Sequence, residues 1–423
     1  MRSATPADAA WPLEGAAVTT LLRTFDTPPR LLGLGEAMHG AEALLRRRNA
    51  IFRHLVEHEG FRSVAIESDC LAGTAVDAYV TEGTGTLDGV MRRGFSHGFG
   101  ESAANRELVR WMREHNRERP ASERVRFFGF DGPLEVAGPA APRQALAGLH
   151  GYLAAHLHDA PGLGGAAHVG DPDHERVPPF DALDDLLGPD ERWTDPAATL
   201  DPARSIGRSA EAVSLRLIAD DLMATLLAQS PHLIAATSRE AWWRASLYGR
   251  TATGLLRYHA GMADTSPSRV ERLMSLRDAM MADNLLSIAD AYGPALVCAH
   301  NRHLQRDKST WLAPWRPGGL ALEWWSAGAI AGAHLGGAYA FIASAVGAAP
   351  HHGLDVPRPD TVEGVLYALP GGDHLIDSGR LTEAVGDAAL KPRTAATESY
   401  FPLDPGRLGQ TDGIAFVKDL PAG

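Results

Sequence analysis

The fold is decided by residues 31–69, which read LLGLGEAMHGAEALLRRRNAIFRHLVEHEGFRSVAIESD. Two short apolar runs, at 30–35 and 62–67, have the length and composition of buried strands. The segment between them, residues 42–59, repeats apolar side chains at helical spacing. A strand, a helix and a second strand in this order predict a βαβ unit whose strands run parallel in one sheet.

Similar apolar runs elsewhere predict more strands of the same sheet. The clearer runs lie at 125–131 and 295–300, and the weaker ones lie at 339–346, 364–369 and 413–417. A helix is predicted over 101–116. Because strands and helices alternate, we expect an α/β protein with a mainly parallel central sheet flanked by helices.

The middle of the chain has a different pattern, with long helical periodicity and no convincing strand. Helices are predicted at 209–227, 238–262 and 268–290. A segment rich in Gly, Pro, Asp and His at 159–204 predicts a long surface loop. We therefore expect a first half of the α/β core at 1–140, a helical insertion at 141–290 and a second half of the core at 291–423. The insertion is expected to form a lid over the carboxyl ends of the strands.

Charge and cysteine content exclude several classes of protein. The 423 residues include 40 basic and 52 acidic side chains, a net charge of −12, and no basic stripe, so we expect no nucleic-acid partner. Cys70 and Cys298 are the two cysteines, which excludes a disulfide scaffold and favours a reducing, cytoplasmic location. We expect a small-molecule substrate as the partner, and we favour a monomer.

Residues 324–354 contain no charged side chain and exceed the length of a membrane span. They are rich in Ala and Gly, which contribute little transfer free energy and allow close packing within a protein. The first residues of the chain also lack the pattern of a signal peptide. We therefore expect a soluble protein with no membrane contact.

Four of the predicted strands run into ionisable residues, namely Glu36 with His39, Glu67, Asp131, and His300 with His303. Ligands of open α/β sheets bind beyond the carboxyl ends of the strands. A single ionisable residue at a strand end is readily explained because the strand reaches the solvent there. Four strands that all run into Glu, Asp or His favour a functional site at this edge.

The motifs GEAMHG at 35–40 and HNRH at 300–303, together with Glu67, resemble the signature of the erythromycin esterase family. Similarity continues in the family's order through WMREHN at 111–116, FFGFDG at 127–132 and RDAMMADN at 277–284. The resemblance implies that the essential positions are Glu36, His39, Glu67, His300 and His303, with Arg48 as the basic residue of the first helix. It also implies hydrolysis of a lactone by an activated water. The chain departs from the family at Met38, where Thr or Ser is usual.

The residue types agree with ester hydrolysis. Histidine is the residue type whose unperturbed pKa suits a general base near neutral pH, and His39 can take the proton from water if Glu36 or Glu67 holds its other ring nitrogen. Arg48, or protonated His300 or His303, would stabilise the oxyanion. Structural roles in place of catalytic ones stay open at this point: Glu67 could cap backbone amides, His303 could be a core histidine, and Arg48 could lie on a solvated helix face.

Other chemistries have weaker support. Two His and two Glu are a plausible zinc or manganese set, but HExxH and a Cys cluster are both missing, so we expect no metal and no other cofactor. The G-x-S-x-G motif of serine hydrolases is also missing. Cys70 and Cys298 lie near the motifs, although buried apolar packing explains Cys298 better.

We therefore expect a hydrolase that acts on an ester or lactone of a natural product. The alternatives are a non-hydrolytic cyclisation or rearrangement at the same site, or a self-resistance protein that sequesters an antibiotic. Four residues are candidates for substrate binding, with a turn or core packing as their alternative role: Asp131, Trp243, Tyr248 and Tyr258.

Overall fold

The computed structural model describes residues 5–135, 138–157, 177–313, 319–386, 388–394, 397 and 399–421. The strands of this part of the chain are β1 (Ala10–Pro12), β2 (Leu31–Glu36), β3 (Ser63–Asp69), β4 (Arg126–Asp131), β5 (Leu134–Glu135), β6 (Gly138–Pro139), β7 (Ala295–His300), β8 (Lys308–Ala313), β9 (Leu320–Trp325), β10 (Tyr339–Ala348), β11 (His374–Asp377) and β12 (Gly413–Asp419). The helices are α1 (Gly15–Leu22), α2 (Glu42–His58), α3 (Gly73–Glu82), α4 (Leu87–Arg93), α5 (Ala103–Asn116), α6 (Arg143–Leu157), α7 (Phe180–Leu187), α8 (Ala210–Ala228), α9 (Ser230–Ala236), α10 (Arg239–Met262), α11 (Arg269–Tyr292), α12 (Asn301–Leu304), α13 (Ala327–Leu335), α14 (Val362–Tyr367) and α15 (Ser378–Val385).

Eight of the described strands form one sheet, in the order β1-β11-β12-β10-β2-β7-β3-β4. The pairs from β12 through β10, β2 and β7 to β3 are all parallel. β11 is antiparallel to β12, and β1 is antiparallel to β11, so the antiparallel pairs lie at one edge. β7 and β10 are buried along their whole length, as expected for strands that both faces of a parallel sheet cover. The prediction of a mainly parallel α/β sheet is confirmed.

Helices bury one face each against this sheet. α2 contributes Ile51, Phe52 and Leu55 to the hydrophobic core, and α5 contributes Val109 and Met112. The positions recur at helical spacing, so they form an apolar stripe on each helix. Each fully buried side chain of this size stabilises the fold by about 1.5–3 kcal/mol.

The chain forms two compact units. The first comprises residues 1–68, 72–130 and 281–423, and it includes the large sheet except for the ends of β3 and β4. The second comprises Asp69–Leu71 and Asp131–Met280, and its helices pack around two hydrophobic clusters of their own. Its long segment begins and ends earlier in the chain than the insertion predicted at 141–290. The lid role of that insertion stays a prediction.

Two secondary-structure predictions are wrong. Residues 364–367 of the run predicted at 364–369 belong to helix α14 and not to a strand, because the Thr361 hydroxyl accepts a hydrogen bond from the Gly364 amide and caps the helix. The loop predicted at 159–204 contains helix α7, and Leu183, Leu187 and Trp193 of this region are buried. Residues 159–176 of the predicted loop lie outside the described residues.

The uncharged stretch at 324–354 enters the sheet. It contains the end of β9, the nine-residue helix α13 and all of β10, which lies between β12 and β2. In the described ranges, no helix combines the length and apolar character needed to cross a membrane.

Candidate active site

Strands that are far apart in the chain bring the predicted catalytic residues together. β7 lies between β2 and β3 in the sheet, and all three strands point the same way. Glu36 at the end of β2 is the register partner of His300 at the end of β7. Glu67 follows Ile66, the last β3 residue paired with β7. The carboxyl edge of the sheet therefore holds an acid, an imidazole and a second acid side by side.

His39 lies between two carboxylates. Its Nδ1 is 3.2 Å from Glu36 Oε2, and its Nε2 is 3.7 Å from Glu67 Oε2. The side chain of His39 is 37% exposed, whereas those of Glu36 and Glu67 are 12% and 5% exposed. A hydrogen bond from Nδ1–H to Glu36 leaves the basic lone pair on Nε2. Glu36 lies within hydrogen-bonding distance of His39 Nδ1, and its role in holding the imidazole stays a prediction.

The turn that carries His39 is fixed by packing. It leaves β2 at Glu36, passes through Gly40 in the left-handed region at φ +79° and enters α2. Met38 is 2% exposed and belongs to an apolar cluster that includes Val346 and Tyr400. The side chain that departs from the family pattern is therefore part of the core.

Glu67 joins the end of β3 to the HNRH turn. Its Oε2 accepts a hydrogen bond of 2.8 Å from the His300 amide, and its Oε1 is 3.4 Å from His303 Nε2. Glu67 thus binds a backbone amide, as the capping alternative predicts, and it also contacts both His39 and His303.

His300 is held as a neutral imidazole. Its Nδ1 accepts a hydrogen bond from the Arg302 amide, and its Nε2–H donates to the Ser399 carbonyl, at 3.2 Å in each case. Burial and the nearby His39 and Arg302 hold the pKa of His300 well below its usual value of 6.5. The pKa direction and both hydrogen bonds of His300 favour the neutral ring, and the oxyanion role of a protonated His300 stays a prediction.

Arg48 is buried, with 4% of its side chain exposed, so it does not lie on a solvated helix face. Its guanidinium donates to Asn49 Oδ1 at 2.8 Å and to Asn105 Oδ1 at 2.7 Å. Its Nη1 is 3.9 Å from Glu36 Oε1. Asn105 also donates to the Phe99 carbonyl at 2.9 Å and so joins Arg48 to the loop before α5.

A cavity of about 430 Å³ in the first unit is lined by Glu36, His39, Arg48 and Glu67, whereas His300 and His303 are not part of its lining. Sequence reasoning missed several residues of its wall, among them Glu42, His97, Phe99 and Asn105. Phe99 packs on His39 with a ring-centroid distance of 5.4 Å, and Glu42 accepts hydrogen bonds from the first two amides of α5. The signal that would have found His97 is the segment SHGFG at 96–100, where a His and an aromatic residue stand beside glycines.

The predicted substrate-binding residues lie within the second unit. Asp131 is fully buried and forms an ion pair of 2.7 Å with Arg277. Tyr258 is fully buried in an apolar cluster, Trp243 is 9% exposed, and Tyr248 packs against the other cluster. Their burial favours packing roles, and substrate binding by these four stays a prediction.

Nucleophilic cysteine chemistry has no support in this geometry. Cys70 and Cys298 are buried, and burial raises the pKa of each thiol to about 12. Neither thiol ionises near neutral pH. In the part of the chain that the structure covers, no three His, Cys, Asp or Glu side chains are grouped so that they could hold a metal ion.

Comparisons with known proteins agree with this architecture. The family model described as Erythromycin esterase matches residues 56–420. A Bacillus cereus protein of known structure has a TM-score of 0.71 at 16% identity, over 98% of this chain and 96% of that one. A succinoglycan biosynthesis protein has a TM-score of 0.66 at 14% identity, over 98% and 95%. A mutant of the erythromycin esterase EreC in its open conformation has a TM-score of 0.66 at 17% identity, over 99% and 98%. No curated protein matches the chain significantly.

Proposed function

The chain belongs to the erythromycin esterase family, and on that premise we propose that it is a hydrolase that opens an ester or lactone with water activated at His39. Family membership supports an esterase-like hydrolase. The matched region begins at residue 56, after Glu36, His39 and Arg48. Their roles therefore rest on geometry, above all on the position of His39 between two carboxylates.

His39 Nε2 is the proposed general base. It takes a proton from a water that attacks the ester carbonyl, while Glu36 accepts the hydrogen bond from Nδ1–H at 3.2 Å. The carboxylate fixes the tautomer and stabilises the imidazolium that forms, as the acid of a serine-protease triad does. Glu67, 3.7 Å from Nε2, borders the space for this water.

Arg48 is the proposed partner of the oxyanion. It is a buried cation at the cavity wall, and the side chains of Asn49 and Asn105 fix its guanidinium before any substrate arrives. A charge that is already oriented costs no reorganisation when negative charge develops on the carbonyl oxygen. His303 is the less suitable group, because Glu67 engages its Nε2.

His300 and Glu67 are assigned a positioning role. The amide of His300 donates to Glu67, and its ring is held by the main chain at Arg302 and Ser399. These bonds fix the end of β3 and the HNRH turn relative to each other. The carboxylate of Glu67 is then held beside His39.

Incubation with candidate substrates in oxygen-18 water tests this proposal. A suitable panel contains macrolide lactones and simple alkyl and aryl esters. Label in the product acid supports hydrolysis. A product of unchanged mass and altered retention would favour cyclisation or rearrangement, and tight binding without turnover would favour antibiotic sequestration. Either of those results would overturn the proposal.

A further inference from the structure

Residues 399–403, here called the strap, run beside both of the turns that carry proposed catalytic groups. The carbonyl of Ser399 accepts a hydrogen bond of 3.2 Å from His300 Nε2 in the HNRH turn. The amide of Phe401 donates to the Ala37 carbonyl of the GEAMHG turn at 2.9 Å. The strap is therefore hydrogen-bonded to two turns that lie far apart in the chain.

The ring of Phe401 adds a second contact between the strap and the site. It packs edge-on against the His300 imidazole, with ring centroids 5.8 Å apart and planes at 80°. The centroid of the His300 ring lies 5.1 Å from that of His39. Three rings in contact thus connect the strap to the proposed general base. Because a close-packed interior transmits strain, a shift of the strap displaces these rings.

A buried carboxylate anchors the strap. Glu363 of α14 is fully buried, and its Oε1 accepts hydrogen bonds of 3.0 Å from the Leu403 amide and from the Tyr400 hydroxyl. The Tyr400 hydroxyl also accepts a hydrogen bond of 3.3 Å from the Val346 amide of β10. The guanidinium of Arg393 lies over the Tyr400 ring, 5.2 Å from its centroid. The strap is therefore fixed to α14 and to the sheet.

A carboxylate in this position is unfavourable for stability by itself. Burial raises the pKa of Glu363 above its usual value of 4.5. Taking a charged group out of water costs free energy that hydrogen bonds only partly return, and a well-packed apolar side chain often serves a core equally well. Packing alone does not explain an acidic residue here, whereas its two hydrogen bonds to the strap do.

We propose that Glu363 is a positioning residue of the active site, which acts through the strap and not on the substrate; this inference rests on the proposed hydrolase function. By fixing the strap, Glu363 fixes the Ser399 carbonyl that orients His300. It also fixes the Phe401 amide, which holds the GEAMHG turn and so the ring of His39. A misplacement of 1 Å at a reacting group can cost about 100-fold in rate. The anchor therefore affects kcat from a distance.

Three variants of the full chain test this proposal. Glu363→Leu removes the accepting oxygen, Glu363→Gln keeps an oxygen in its place, and Tyr400→Phe removes one of the two donors. We expect Glu363→Leu to lower kcat about 10-fold to 100-fold with little change in KM, because His39 is displaced while the cavity wall is kept. Glu363→Gln should stay near the wild type. Tyr400→Phe should lower kcat less than Glu363→Leu, and it provides the comparison if Glu363→Leu fails to fold.

Asp77→Leu is the matched control for loss of a buried carboxylate. Asp77 of α3 is 6% exposed and accepts a hydrogen bond of 3.1 Å from the Phe127 amide, so its main-chain partner lies on β4 and not on the strap. Asp77→Leu should lower Tm and leave kcat near that of the wild type. The kinetic substrate is the member of the oxygen-18 panel that the wild type hydrolyses fastest, measured well below every Tm.

Nitrogen-15 NMR of the histidine rings tests the positioning without any substrate. His300→Gln identifies the His300 signal, which should move in Glu363→Leu and stay in place in Asp77→Leu, because the Ser399 carbonyl holds that ring. A Glu363→Leu protein that loses only Tm, with kcat and the His300 signal unchanged, would overturn the inference. If the wild type hydrolyses no member of the panel, the proposed function has failed, and an unmoved His300 signal would still overturn the inference separately.

Discussion

Asn301 hydrogen-bonds the main chain of Ser344 with both ends of its carboxamide. Its Nδ2 donates to the Ser344 carbonyl at 2.8 Å, and its Oδ1 accepts from the Ser344 amide at 3.0 Å. The paired residues of β2 and β10 end at Leu34 and Ile342. Beyond them, the Asn301 carboxamide makes the hydrogen bonds to β10 that a peptide group of a neighbouring strand would otherwise make. It attaches the HNRH turn directly to β10.

Gly35→Ala should destabilise the protein, because a methyl group at residue 35 would collide with the Asn301 carboxamide. Overpacking of this kind costs about 1–3 kcal/mol. Urea unfolding of Gly35→Ala, Asn301→Gly and the double variant measures the coupling. We expect the double variant to lose less unfolding free energy than the two single variants lose together, by about 0.5 kcal/mol or more. Additive losses would show that the two residues do not interact.

His39→Ala should abolish turnover and leave the fold intact. Loss of a general base costs about 100-fold to 10,000-fold in rate, and a side chain that is 37% exposed contributes little to the core. Turnover and far-UV circular dichroism of the same sample check both parts. Undiminished turnover would mean that another residue is the base.

Glu36→Gln and Glu42→Gln should have different effects, although both residues line the cavity. Glu36 holds His39, so its change should lower kcat on the order of 100-fold to 10,000-fold with little change in stability. Glu42 binds the first amides of α5, so its change should cost about 0.3–1 kcal/mol of stability and leave turnover near that of the wild type. Equal kinetic losses would contradict these assignments.

Exhaustive chelation with EDTA should leave turnover unchanged. His39 can deprotonate water without a Lewis acid, and both ring nitrogens of His300 are hydrogen-bonded to the main chain. Turnover before and after chelation, with dialysis as the control, measures the effect. Loss of activity that added zinc or manganese restores would make the site a metal centre.

Stability should fall as the pH drops from about 6.5 to about 4, and His259 should contribute to that fall. Burial lowers the pKa of His259 from its usual 6.5 to about 4, while its Nε2–H donates to the Ala140 carbonyl. The unfolded chain binds a proton near pH 6.5 and the folded chain does not, so protonation favours unfolding by about 3 kcal/mol at the low end of this window.

Denaturant unfolding across that window tests the assignment. His259→Gln should reduce the slope of the unfolding free energy against pH, because the amide does not titrate. The same change at the exposed His351 serves as the control and should leave the slope as it is. Equal slopes in all three proteins would show that His259 does not contribute.

Six of the eight strands of the central sheet, all except β1 and β11, were predictable because each is a short apolar run with punctuation at its ends. The convergence of Glu36, Glu67 and His300 followed from the same reasoning, since parallel strands share a carboxyl edge. Helix α14 was misread because its apolar residues also fit a strand, and its cap depends on the hydroxyl of Thr361. The four-residue β11 is too short to give a periodic signal.

The remaining features of the site depend on contacts between distant segments. The neutral state of His300 needs the carbonyl of Ser399, and the fixed guanidinium of Arg48 needs the carboxamide of Asn105. No local pattern in the sequence contains either partner. The left-handed backbone of His97 likewise becomes visible only in three dimensions.

The order of strands also affects how the chain reaches this structure during synthesis. β2 and β3 leave the ribosome early and close together, but the place between them belongs to β7, which is made much later. Until then, each of the two strands has an unpaired apolar edge of the kind that promotes aggregation. A nascent chain that stops before residue 295 is therefore expected to need a chaperone, and it contains no complete catalytic centre.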